Sequence, residues 1–402
     1  MTSFTIASFN VKNLIGPDKE YYEFQTYTPE EYAWKRDWMA DQMLTMDADI
    51  VGFQEIFEQE ALQDVLSETD ARGDALNGAV VPDKSKRYHK KAIFRKLGFG
   101  GYKDAALFFA PNSADGGEPG KRRPGLALLS RFGFEGTPEI IQDIAEPLVI
   151  GFPPLRGSQG PRESGSYKLE RLSRPILKAR IKVAGQVFTV FNCHLKSKLG
   201  EFVPSATADY PPEADLTAYD PVARALGSLR SSVRRMAEAW VLRREIVAEL
   251  DAGRPVIAMG DFNDGEQAVS SEIIAGETPF RNYAWMLRHD AKHRSDRYSR
   301  EENEAITANV ERVRLHSAEK LFVRKSLRDM VYTSAFGGNF ESIDQIFLSR
   351  HFAPDNIQRI ADMEYFSVLN DHLTDGSHPE APYNKLASDH GQIIAHITMR
   401  DT

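Results

Sequence analysis

Cysteine is nearly missing from the 402 residues: Cys193 stands alone. No disulfide can close within the chain, which leans towards a reducing compartment. Positive charge is also in short supply. Fifty Lys and Arg stand against 58 Asp and Glu, for a net charge of −8. That excludes a basic nucleic-acid coat and leaves any polyanion site to a local patch or a metal ion. No apolar run is long enough to cross a bilayer, so stable membrane insertion is not expected. The start, Met1-Thr-Ser-Phe-Thr-Ile-Ala-Ser-Phe-Asn10, lacks a basic segment followed by an apolar one and is not a signal peptide. The chain as it stands reads as cytoplasmic, or as secreted or periplasmic if a leader was removed. Internal repeats and linker-like boundaries are missing too.

What is present is a large soluble core. Hydrophobic residues make up 42% and charged residues 27%, as in ordinary globular domains. Short apolar runs recur along the chain, at Phe4–Phe9, Asp49–Glu55, Asp104–Ala110, Gly125–Arg131, Arg174–Val183, Gln186–Asn192, Val256–Asp261, Ser342–Ser349 and Gln392–Ile397. Each reads as a buried strand. Helical spacing covers 29–46, opened by Thr28-Pro29-Glu30-Glu31, and also 57–66 and 228–250. Strands run throughout and helices interrupt them, which predicts one α/β domain over 1–402 with a large sheet system. Polar stretches near 145–172, 199–225, 281–329 and 361–386 read as surface insertions or loops.

The strand ends carry the chemistry. Asn10, Glu55, His194, Asp261, Asn263, Asp344, Asp389 and His390 each lie within a few residues of an apolar run. If the strands pack side by side, these side chains converge at one edge. Asp261 and Asn263 are two apart, so a continued strand points them the same way. The plainer reading of Gly260-Asp-Phe-Asn263 is a turn after a strand. Carboxylates, amides and histidines without a cysteine pair suit Mg²⁺ or Mn²⁺, with Ca²⁺ a further candidate. Such a set can activate water, offset phosphoryl charge and protonate a leaving oxygen.

Six segments in order strengthen the reading: Ser8-Phe-Asn-Val-Lys-Asn13, Gly52-Phe-Gln-Glu55, Asn192-Cys-His-Leu-Lys-Ser-Lys198, Gly260-Asp-Phe-Asn263, Ser342-Ile-Asp-Gln-Ile-Phe-Leu-Ser349 and Ser388-Asp-His390. Together they resemble the endonuclease/exonuclease/phosphatase superfamily, which includes pancreatic deoxyribonuclease, abasic-site endonucleases and neutral sphingomyelinases. The resemblance implies a four-layer sandwich, two packed mixed β-sheets flanked by helices, with a divalent-metal site at one end. It implies Glu55, Asn10 and Asp389 as metal ligands. Asp261 would deprotonate the attacking water, Asn263 would face the phosphoryl oxygen, and His194 and His390 would contact the phosphate and serve the leaving group. Asp344 would hold His390.

Asp104, in Tyr102-Lys103-Asp104, would partner His194; a plain surface carboxylate is the alternative. Arg174, Lys12 and Lys196 would bind substrate phosphate. Gly391-Gln392 and Gln345 depart from the pattern that usually surrounds these motifs. The inositol-polyphosphate branch motifs are missing, and no exposed apolar stretch of the sphingomyelinase kind stands out. Val331–Ser349 and His194–Lys198 resemble bacterial extracellular nucleases. Basic residues at Lys121–Arg123, Lys196, Lys198 and Lys84–Lys96 could follow a phosphate backbone. The expectation is a metal-dependent nuclease acting on DNA or RNA, with a phosphatase or phosphodiesterase for a small or lipid ester as the alternative.

Overall fold

The computed structural model describes residues 2–22, 25–78, 98–112, 121–151, 156–157, 160–161, 166–201, 221–276, 299–323, 332–374 and 386–400. The Lys84–Lys96 patch and most of the 199–225 insertion lie outside them. The strands are β1 (Ser3–Leu14), β2 (Ile50–Ile56), β3 (Ala106–Ala110), β4 (Gly125–Ser130) and β5 (Glu139–Gly151). Two short pieces follow, β6 (Arg156–Gly157) and β7 (Gly160–Pro161), then β8 (Ser166–Val183), β9 (Gln186–His194), β10 (Val256–Asp261) and β11 (Leu315–Ser317). The last are β12 (Ser334–Phe336), β13 (Asn339–Glu341), β14 (Asp344–Ser349), β15 (Ala361–Leu369) and β16 (Gln392–Met399). The helices are α1 (Pro29–Met46), α2 (Gln59–Gly78), α3 (Pro221–Asp251), α4 (Val269–Ala275), α5 (Arg300–Val313) and α6 (Ala318–Val323).

Two six-stranded sheets result, in the orders β15-β16-β1-β2-β4-β3 and β11-β14-β10-β9-β8-β5. Both are mixed: β1 runs parallel to β2 and β9 parallel to β10, and the other pairs in these sheets are antiparallel. Alternation along the strands sorts the core into three parts. Ile6, Leu128, Leu177, Val190, Met259 and Ile393 fill the space between the sheets. Phe9, Phe53 and Leu129 face outward beneath α1 and α2, with Met39 and Leu62 from the helices. Phe191, Ala258 and Phe262 face the opposite way, beneath α3 and α4, with Leu242 and Ile274. Helices, sheet, sheet, helices: the four expected layers are present.

The start of α1 follows its sequence. Thr28 caps the helix through the Glu31 N–H, Glu31 returns a bond to the Thr28 N–H, and Pro29 takes the first turn. Two polar segments depart from expectation. Part of 361–386 is not a loop but β15, an edge strand paired with β16. Its one buried face, Ala361, Met363 and Phe366, is too sparse an apolar signal to read as a strand. Within 281–329, α5 fits a charged surface helix, but Leu315, Ala318, Leu321 and Phe322 are buried in the core.

Beneath the site end, a polar strut ties the sheets together. Gln54 Nε2 donates to Asn192 Oδ1 at 2.7 Å. Asn192 Nδ2 donates to the carbonyls of Phe53 and Ala127 at 3.1 and 2.9 Å. All of this lies in the dry space between the sheets, where an unmatched polar group costs about 1–3 kcal/mol. Asn192→Leu is therefore expected to lower unfolding free energy by about 2–4 kcal/mol. Urea denaturation checks it, and a loss below about 0.5 kcal/mol would remove the strut from the account.

Candidate active site

Strand pairing gathers the site. In the second sheet, His194, Asp261 and Asp344 lie on one rung, because Asp261 of β10 faces His194 on one side and Asp344 on the other. Neighbours on a rung point to the same face, and here that face meets the first sheet. From the first sheet come Asn10 near the end of β1, Glu55 near the end of β2, and Asp389-His390 just before β16.

The backbone is bent where these residues sit. Lys12, Asn13, Glu55 and Asn263 all hold left-handed φ of 53°, 59°, 65° and 54°. Ladder register breaks between Asn10 and Leu14 of β1, and between Gln54 and Ile56 of β2. Such bulges re-aim side chains, and non-glycine residues keep this conformation only where their surroundings enforce it. Asn263 does not continue the strand. It turns back, its N–H on Asp261 Oδ1 at 2.8 Å and its Nδ2 3.3 Å from Asp261 Oδ2. The turn and the juxtaposition are thus both real. Gly260 admits no side chain: a Cβ there would lie 1.9 Å from the Cys193 carbonyl oxygen.

Asp261 Oδ2 is the hub. Asn10 Nδ2 donates to it at 3.0 Å, and His194 Nε2 stands 3.2 Å away. His390 Nε2 is 3.8 Å off, while its Nδ1 meets Asp344 Oδ2 at 2.8 Å. The expected Asp344–His390 pair is therefore in contact. Burial works against a charged His390 ring, but Asp344 and Asp261 outweigh it and hold its pKa well above the usual value. His194 goes the other way, pushed well down by burial and then by Arg174. Burial also raises Asp261, with His390 opposing and Asp344 assisting. The two histidines of one site are thus pushed in opposite directions.

Glu55 lies at the other side. Its Oε2 accepts the Asn13 N–H at 3.1 Å, and its pKa is raised by burial and by Asp389. Lys12 Nζ stands 3.7 Å from Asp389 Oδ2, so Lys12 sits against an expected metal ligand. Asn10 directs its Oδ1 to the Lys12 N–H at 3.0 Å; ligation would need the isosteric amide turned over.

Does the donor set fit a cation? Asp261, Asp344 and His390 offer ligand atoms within 4.8 Å of one another. That trio is partly tied up by the bonds above, while Asp344 Oδ1 stays buried with no partner among the described residues. Glu55, whose carboxyl is raised by its burial and by the neighbouring exposed Asp389, forms with it an acidic pair whose repulsion a divalent cation would offset. Oxygen donors of this kind suit Mg²⁺ or Mn²⁺, so Glu55 and Asp389 fit as holders, whereas Asn10 would have to give up its Nδ2 bond to Asp261 to turn an oxygen to the ion.

The remaining expected residues divide. Arg174 gives one N–H to the Leu195 carbonyl at 3.3 Å, and its charge bears on Glu55, His194 and Tyr22 alike. Lys196 folds back, its Nζ on the Leu199 carbonyl at 2.9 Å. Asp104 is a correction. It is exposed in the turn before β3, beside Asp70, Asp74 and Arg131. β3 runs with β2, and Ala106 and Ile50 both face Ser130, so Asp104 lies at the end of the sheet remote from Glu55 and His194. His194 Nδ1 is buried with no partner among the described residues.

Two supports escaped the sequence. Lys35, wholly buried in α1, donates to the Val11 carbonyl at 2.8 Å and the Leu386 carbonyl at 3.1 Å, sewing together the chains that carry Asn10 and His390. Glu238, on α3, accepts the N–H groups of Ser173 and Lys196, both at 2.7 Å, one beside Arg174 and one after His194. On a helical face each looks like a surface charge, and no local pattern marks it otherwise.

A family model described as "Endonuclease/Exonuclease/phosphatase family" matches residues 7–390. No curated protein matches by sequence. Among solved structures, one from Bacteroides thetaiotaomicron, an endonuclease/exonuclease/phosphatase family protein, is 14% identical. It aligns over 99% of this chain and 98% of its own, with a TM-score of 0.44. The human Nocturnin catalytic domain with bound sulfate is 13% identical over 99% and 95%, TM-score 0.45. A mannosyl-6-phosphatase of Bacteroides thetaiotaomicron is 13% identical over 99% and 100%, TM-score 0.43.

Proposed function

Since the chain belongs to the endonuclease/exonuclease/phosphatase family, whose members hydrolyse phosphate esters, we propose that it is a divalent-cation-dependent phosphodiesterase that cuts nucleic acid. The observation that carries the reading is the rung of His194, Asp261 and Asp344 closed by Asn10 and His390 from the facing sheet. Asp261, buried and with its pKa raised, takes the proton of the attacking water. Asn263, whose Nδ2 rests on the Leu195 carbonyl at 2.9 Å, turns to offer an N–H to a phosphoryl oxygen, and neutral His194 holds Asp261 through its Nε2 N–H. His390, kept protonated by Asp344, gives its proton to the leaving oxygen. Arg174 grips a non-bridging oxygen. Glu55 and Asp389 would hold a divalent cation, which when bound would supply positive charge to offset that gathering on the phosphoryl group.

Support for a phosphodiester substrate is Arg174, which lies against the His194 segment through its bond to the Leu195 carbonyl and whose charge bears on both Glu55 and His194. The test is nicking of supercoiled plasmid and cleavage of a single-stranded oligonucleotide, with Mg²⁺ and with EDTA, beside bis(4-nitrophenyl) phosphate. Cation-dependent cleavage of nucleic acid is the expected result. Turnover of the small diester alone would move the assignment to a small-ester phosphodiesterase, and no turnover of either would end the enzyme reading.

A further inference from the structure

One surface feature is used by nothing described so far. The strands β12 and β13 form a hairpin closed by Gly337 and Gly338, both left-handed with φ of 62° and 75°, the geometry of a tight two-residue turn. Its tip bears Phe336, 69% exposed, and Phe340, 54% exposed. This is the exposed apolar stretch that the sequence did not reveal. The register pairs Ala335 with Phe340 and Phe336 with Asn339, so the two rings lie on opposite faces of the ribbon.

The hairpin's foot is fixed into the catalytic walls. Thr333 Oγ1 accepts the N–H groups of Ile343 and Asp344 at 3.0 and 3.1 Å. Its carbonyl takes the Gly391 N–H at 2.8 Å, next to His390. On the other flank, Lys198 of the His194 segment bonds to Glu341. The ribbon thus rises from the junction of the two chains that carry the histidines. From Ser334 to Phe340 it has no charged side chain, so it offers nothing to phosphate and a great deal to a flat neutral ring.

We propose that this hairpin is the base-binding rim of the cleft: Phe336 and Phe340 stack on unpaired nucleobases flanking the scissile phosphate, which makes the substrate single-stranded or locally opened nucleic acid. The proposal rests on the nuclease reading above. Base stacking on an aromatic ring tolerates any sequence because every base has a π-face. Phosphates are left to Arg174, and the neutral tip takes the bases. A lipid bilayer fits the ribbon less well. Its rings do not share one face, and the bonded Lys198–Glu341 pair at its foot brings no net charge to an anionic surface.

The test is Phe336→Ala/Phe340→Ala, a pair of tip substitutions that removes no core contact of the sheets. Steady-state kinetics are read on a labelled single-stranded oligonucleotide and on bis(4-nitrophenyl) phosphate, alongside co-sedimentation with phosphatidylcholine–sphingomyelin vesicles. The expected result is a rise of at least about tenfold in oligonucleotide KM, with kcat/KM on the small diester unchanged. Phe336→Tyr/Phe340→Tyr is expected to restore the oligonucleotide KM. An oligonucleotide KM equal to the parent's overturns the proposal while the nuclease reading stands. A parent that hydrolyses the diester but no oligonucleotide overturns both. Vesicle binding that the alanine pair abolishes, with oligonucleotide KM unaltered, reassigns the hairpin to a membrane and also overturns it.

Discussion

Asp261→Asn is expected to lower kcat by about 10³-fold or more, the usual range for loss of a positioned general base, while Mn²⁺ binding measured by calorimetry stays close to the parent's. Asparagine keeps the shape and one acceptor for Asn10 and His194 but cannot take a proton from water. The pH profile carries an independent mark. Asp261 must be ionised to act, and burial raises its pKa, so activity falls on the acid side well above the ordinary carboxylate range. His390 must be protonated, and Asp344 and Asp261 hold its pKa up against burial, so the alkaline limb lies above the usual imidazole value. The profile is therefore a bell. Asp344→Asn removes the charge that sustains imidazolium and moves the alkaline limb down. Residual activity of Asp261→Asn within about tenfold of the parent would show that another group is the base.

Glu55→Gln produces the second large effect, on binding instead of on proton transfer. The amide still accepts the Asn13 N–H, and it removes a carboxylate whose pKa is raised by burial and by Asp389. An acid with a raised folded pKa destabilises the fold as pH climbs through that window. The cation-free variant is therefore expected to melt no lower than the parent at neutral pH. What it loses is the cation. The parent should gain about 2.7 kcal/mol of stability at one hundred times its Mn²⁺ dissociation constant, and Glu55→Gln should gain almost none. An equal Mn²⁺-induced rise in Tm for both proteins would place the cation elsewhere, with Asp261, Asp344 and His390 the alternative set.

How much of this was legible? Asn10, Glu55, His194, Asp261, Asp344 and His390 were, because each lies at one end of an apolar run, and a strand end is where a side chain can be polar and still rigidly held. The Asp344–His390 contact followed from family resemblance. Asp104 failed because its tripeptide likeness is local, whereas reaching His194 depends on which end of β3 faces the cleft. Asn263 was read both as extended and as a turn, and its left-handed φ decides for the turn without parting it from Asp261. The Gln54–Asn192 strut joins residues 138 apart, and no periodicity encodes such a bond. Lys35 and Glu238 look like solvated charges until tertiary packing buries them against carbonyls and N–H groups from two chains. The aromatic hairpin was hidden because two phenylalanines around a Gly-Gly pair carry no local sign that they are exposed, and Val331–Ser349 stood out only for its resemblance to bacterial extracellular nucleases.

Metal dependence is tested most directly by hydrolysis of bis(4-nitrophenyl) phosphate by protein stripped with EDTA and then titrated with Mn²⁺, run in parallel on the parent and on Glu55→Gln. The proposed cation site predicts that stripping abolishes turnover, that Mn²⁺ restores it saturably in the parent, and that Glu55→Gln requires at least about a hundredfold more Mn²⁺. Turnover that survives stripping, or that Mn²⁺ restores equally well in both proteins, would contradict it.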